Sequence, residues 1–210
     1  VAAEIIGLID RDFYSDIVLN AVPNGVTVLP LHEIESVLCD QKVVASIAEH
    51  FGKAPAIVWN EFLDRVREEF RDKTLNAVVA RRVRSRVGDL LDGAFSGEQI
   101  VANLTQTAAN HSSKLSELDL PTKISSMFAE EDKRVIDALA SGGTEMLAIL
   151  PGKHLLNMLT NVFGLSNTSE LTSLIVRALD KKRLKKEDPL LTLGAKVETA
   201  LLTYLPPRKV

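Results

Sequence analysis

Apolar residues fall in two short blocks near the start of the chain and in long helical rhythms after them. The run AEIIGLI, residues 3–9, has β-branched content and ends in charge, which predicts a buried strand. Residues 13–24 read as a loop or short helix closing on the turn Pro23-Asn24-Gly25. VTVLPL, residues 26–31, predicts a second strand stopped by Pro30. Beyond it, Ile34, Val37, Leu38, Val44, Ile47 and Ala48 recur at helical spacing, and Gly52 suits a helix C-terminus. Pro55 to Leu91 predicts one long helix or two. Further helices are predicted over Gly97–Leu118, Pro121–Ala140, Lys153–Phe163, Ser169–Leu184 and Pro189–Leu205. Between them, Met146 to Leu150 reads as a third short strand running into a Pro-Gly turn.

Strands separated by helices predict a helix-rich α/β fold with a small parallel sheet. The helical stretch from 33 to 143 far exceeds the dozen or so residues that a parallel crossover needs. We therefore divide the chain into an α/β part, residues 1–38 and 144–210, and a helical insertion or subdomain, residues 39–143.

Composition narrows the class. Of the 210 residues, 46% are hydrophobic and 25% charged, as in an ordinary globular core. The net charge of −3 argues against a wholly basic nucleic-acid binder but leaves room for a local basic patch. Cys39 is the only cysteine, so an internal disulfide and a thiolate metal cluster are both excluded. No apolar run reaches the ~18 residues of a membrane helix, and Glu4, Asp10 and Asp12 interrupt any signal-peptide core. The expectation is a cytoplasmic protein. The chain opens at Val1 inside a predicted strand, which reads as a fragment lacking its N-terminal portion.

Asp10 and Asp12 follow the first strand in GLIDRDF. On a continuing strand, residues two apart share a face. At the carboxyl end of a parallel strand that face opens on the crevice where ligands bind. Two carboxylates there repel each other unless a hard cation such as Mg²⁺ joins them. A solvated turn explains the same residues. Glu33 and Glu35 follow the second strand in LHEIESVL, where acids also suit a helix start through its dipole.

Taken together, GLIDRDF, EIESVL and PGKHLL resemble the Toprim domain of the overcoming-lysogenization-defect (OLD) class, in which an ATP-binding-cassette ATPase precedes a Toprim nuclease. The resemblance implies a Toprim-like parallel sheet and two-metal cleavage of DNA with Mg²⁺ or Mn²⁺. Asp10, Asp12 and Glu35 would be the metal ligands, and Lys153 would stabilise charge on the phosphate. It also implies an upstream ATPase on the same polypeptide and an earlier strand ending in a glutamate. Glu4 lies in the same strand as Asp10 and cannot be that residue, so weak or absent cleavage is expected. A homo-oligomer is a further expected partner.

Two other features bear on function. Arg67, Arg71, Arg82 and Arg86 fall within roughly one 100° stripe if 65–86 is one helix, a surface that would track a phosphate backbone or simply face solvent. The cluster DKKRLKKED, residues 180–188, suits a helix end. LPGKHL lacks the glycine and Ser/Thr of a phosphate loop, so the chain is not itself a P-loop ATPase. A haloacid-dehalogenase-like phosphatase fits less well, because Tyr14 stands where that pattern has Thr or Val. The remaining alternative is a non-catalytic helical interaction or dimerisation module on a degenerate α/β scaffold.

Overall fold

The computed structural model describes residues 7–11, 26–95 and 104–204. Among them the chain is mostly helix, with one pair of three-residue strands. Strands β1 (Gly7–Ile9) and β2 (Val26–Val28) pair in parallel, with Gly7 opposite Val26 and Ile9 opposite Val28. Both carboxyl ends therefore emerge side by side. Leu29 and Leu31, just past β2, are fully buried.

Helices α1 (Ile34–Leu38) and α2 (Gln41–His50) follow. The single apolar rhythm predicted across them is broken at Cys39-Asp40. Asp40 caps α2, its Oδ1 accepting the Lys42 N–H at 2.8 Å. Pro55 opens α3 (Pro55–Glu69), where its missing N–H costs nothing. The chain then turns at Asp72, whose φ of +47° lies in the left-handed region that aspartate tolerates better than most residues, and enters α4 (Asp72–Phe95). Of the two options for Pro55 to Leu91, two helices is therefore the observed one.

Helices α5 (Leu104–Glu117) and α6 (Leu120–Ser141) lead to α7 (Thr144–Ile149). Here the expectation of a third strand over Met146–Leu150 is overturned. A fully buried apolar run has no period to distinguish strand from helix. Met, Leu and Ala favour helix, and only Ile149 is β-branched. The Leu147 carbonyl accepts the His32 N–H at 3.0 Å, tying α7 to the segment after β2. The chain closes with α8 (Gly152–Phe163), α9 (Thr168–Leu179), a 3₁₀ turn (Lys181–Arg183) and α10 (Leu190–Leu201).

Helix α8 is central. It buries Leu155, Leu156, Met158, Leu159, Val162 and Phe163, against α1 on one side and α3 on another. Side chains of this size each contribute about 1.5–3 kcal/mol on burial. Helix α10 packs on both α2 and α9, while α4 lies along α6. One hydrophobic core runs from Leu29 to Ala200. Helices α2 and α3, which the sequence division assigns to residues 39–143, share that core with α8 and α10. None of the described helices is long and apolar enough to cross a membrane.

Candidate functional site

Asp10 is the first residue beyond β1 and is half-buried; Asp12 lies outside the described residues. The β1–β2 pairing brings the chain after Ile9 level with Leu29, at the end of the strand pair from which the segment into α1 departs. On that helix Glu35 is half-buried in the first turn.

Glu33, the N-cap of α1, has a structural task. Its Oε2 accepts the backbone N–H of Lys153 at 3.0 Å, so one carboxylate reaches from the start of α1 to the start of α8. Ser36 Oγ accepts the Glu33 N–H in return, at 3.4 Å. Gly152 makes this approach possible, because a Cβ there would lie 2.6 Å from Ser36 Oγ and 2.7 Å from the Ser36 nitrogen. A negative charge at a helix start is favoured by the exposed N–H groups and the dipole. Fully buried His32 completes the corner, its Nδ1 3.9 Å from Glu33 Oε1.

The docking of α8 on α1 brings Glu35 and the exposed Lys153 into one groove of about 600 Å³, walled by Ile34, Val37, Leu156 and Leu201. Asp10 is not among the residues that line it. Among the described residues, no three His, Cys, Asp or Glu side chains gather as a metal centre needs. The Asp10/Asp12 pair, with one member outside the description, is the remaining candidate.

Cys39, fully buried between α1 and α2, is inert. Desolvation, and secondarily the charge of Glu35, push its thiol far above the usual range.

The four arginines do not form one stripe, because the turn at Asp72 separates Arg67 and Arg71 from Arg82 and Arg86. Arg67 caps the end of α6, its Nε donating to the Leu139 carbonyl at 3.2 Å and its Nη2 to that of Ala140 at 3.4 Å. Arg71 is exposed. Arg86 donates to Glu131 Oε1 at 3.1 Å and to Glu130 Oε2 at 2.8 Å. Arg82 binds the other oxygen of Glu131 through its Nε. The Glu131 side chain is only 4% exposed, so this is an ion network anchored on a buried carboxylate rather than a solvated basic face.

Residues that the sequence reading passed over are Glu130 and Glu131 of this network, with Arg134 and Arg11 near it. The signal was present: AEEDKR in α6 is the acidic complement of the arginine-rich α4, and Arg11 stands inside the quoted DRDF.

No family model, curated protein or solved structure matches this chain.

Proposed function

We propose that this chain carries the acidic strand end of a metal-dependent nuclease of the Toprim type. The supporting observation is the parallel pairing of β1 and β2. It aligns the carboxyl ends of the two strands, with Asp10 directly after one and Glu35 in the first turn of the helix that follows the other. Ligand-binding crevices of parallel sheets lie outside such ends. The full Toprim-like sheet, DNA as the substrate class and a linked ATPase all belong to this reading.

In it Asp10 and Asp12 would hold Mg²⁺ or Mn²⁺, which would supply Lewis-acid stabilisation of a phosphoryl oxygen. Glu35 would assist them as a further metal ligand. The Lys153 ammonium, which lines the same groove as Glu35, would offset negative charge on the phosphate as a point charge. Lys153 keeps its side chain available because its contact with Glu33 uses only the backbone N–H.

The test is calorimetric titration of Mn²⁺ into the wild-type chain and into the Asp10→Ala/Asp12→Ala double variant. Weak binding that the double variant loses is the expected result. Indistinguishable traces, with no heat up to millimolar metal, would overturn the nuclease reading.

That outcome would favour the second reading, a non-catalytic interaction module. One observation leans toward it: Glu33, Arg67, Arg82 and Arg86 are all committed to holding helices together.

A further inference from the structure

A cavity of about 880 Å³ lies between α4, α6 and α7, and three of its lining side chains are Arg11, Arg82 and Arg134. We propose that this cavity is a phosphate site, in which the guanidinium groups of Arg82 and Arg134 receive the phosphate of a nucleotide or of a nucleic-acid backbone, with Arg11 on the same wall. It needs none of Asp10, Asp12 or Glu35 and is independent of the metal reading.

The Arg82 side chain is only 14% exposed and is aimed by its Nε bond to Glu131. Its two Nη groups make no hydrogen bond among the described residues. A held guanidinium with a free fork matches a phosphate bidentately. Arg134 stands one turn beyond Glu130 and Glu131 on α6. It is exposed, with no hydrogen bond or ion pair among the described residues. Arg11, next to Asp10 at the end of β1, lines the same space. Burial, aided by the charges of Arg134 and Arg11, lowers the Arg82 pKa against the opposing pull of Glu131. An anion between these guanidiniums relieves that repulsion.

The acidic residues around the cavity divide into two kinds. Glu131 accepts from Arg82 and Arg86, and Glu130 from Arg86 and Ser126, so the charges of these two acids and of Arg82 and Arg86 balance one another, and Arg82 offers donors rather than spare charge. Asp89 and Glu145 remain on the wall as opposing charges, and exposed Glu145 is the more screened. Leu90, Met127 and Ile149 add apolar lining. The volume falls within the roughly 300–1,000 Å³ range of small-ligand pockets.

The experiment titrates the intact chain with pyrophosphate and, separately, with a short single-stranded oligonucleotide. Wild type is compared with Arg134→Glu, with Glu145→Gln, and with Arg177→Glu, an equal charge reversal at an exposed arginine of α9. Arg134 makes no hydrogen bond or ion pair among the described residues, so its variant should stay folded, with at most a small drop in melting temperature from the added acid near Glu130 and Glu131. We expect Arg134→Glu to weaken binding at least tenfold and to lower the salt slope for the oligonucleotide by about one. Glu145→Gln tightens binding and Arg177→Glu changes it less than twofold. Pyrophosphate that binds one to one and displaces the oligonucleotide identifies a free phosphate ligand. Binding of the oligonucleotide alone identifies a nucleic-acid backbone. No binding of either probe by the wild type, or equal losses in Arg134→Glu and Arg177→Glu, would overturn the site.

Discussion

Gly152 is the position where one methyl group does the most harm at the candidate site. Its Cα faces Ser36 so closely that the added carbon of Gly152→Ala would meet the Ser36 backbone nitrogen, which cannot swing aside as a side chain can. We expect Gly152→Ala to destabilise the fold by about 1–3 kcal/mol in urea unfolding, the usual cost of forced overpacking. The same methyl would push α8 away from the Glu33 carboxylate and part Lys153 from Glu35. The sequence contains Gly152 within PGKHLL, yet nothing in a linear string tells a glycine used for close approach from one that ends a turn. Glu33 and Glu35 pose the same problem. An acid in a first helical turn satisfies the dipole whether it caps, binds or does both, and only the approach of α8 reveals that Glu33 caps.

Helix pairing turns on a second glycine. Where α9 crosses α10, a Cβ at Gly194 would lie 2.0 Å from the Ala178 carbonyl oxygen. No rotamer relieves a clash with backbone, so the two helices must separate. Gly194→Ala should lower stability by more than Gly152→Ala does, measured by the shift of the thermal midpoint under identical buffer. Most elements were legible because surface helices alternate apolar and polar faces at a period near 3.6 residues. Two readings at this level failed for definite reasons. The rhythm through 34–48 passes over Asp40, whose side chain caps a new helix and interrupts the old one. The run at Met146–Leu150 is apolar throughout and buried at every position but Ala148, which erases the very contrast that a pattern needs.

Long-range charge placement was the least legible property of the chain. The arginine stripe assumed that one helix joins Arg67 to Arg86, whereas the turn at Asp72 redirects the chain and α6 supplies the glutamates that occupy Arg82 and Arg86. Partners 45 and 49 residues apart leave no local trace. The Asp10/Asp12 motif could be read, but Asp12 lies outside the described residues, so its geometry adds nothing to the motif.

The last described residues are also tied across the fold. Tyr204 donates its phenol to Asp40 Oδ2 at 2.6 Å, so the segment after α10 is fastened to the cap of α2. Burial, then the hydrogen bond and charge of Asp40, raise the phenol to about 12 from an ordinary 10.0. The folded state thus holds this proton to higher pH than the unfolded chain. Its contribution is complete below pH 10.0 and is lost as pH rises toward 12. Tyr204→Phe should cost about 1–2 kcal/mol near neutrality. It should also flatten the alkaline limb of a stability profile recorded between those two pH values.

Cys39 gives the molecule an internal clock. The one thiol of the chain sits at the α1–α2 junction, without exposure and with its thiolate form suppressed. A disulfide reagent in solution has no target until that junction opens. With reagent concentrated enough to outpace reclosing, the rate of thiol modification therefore counts openings of the corner that carries Glu33, Glu35 and the start of α8, one stroke for each excursion, with no label to introduce and no second cysteine to confuse the count.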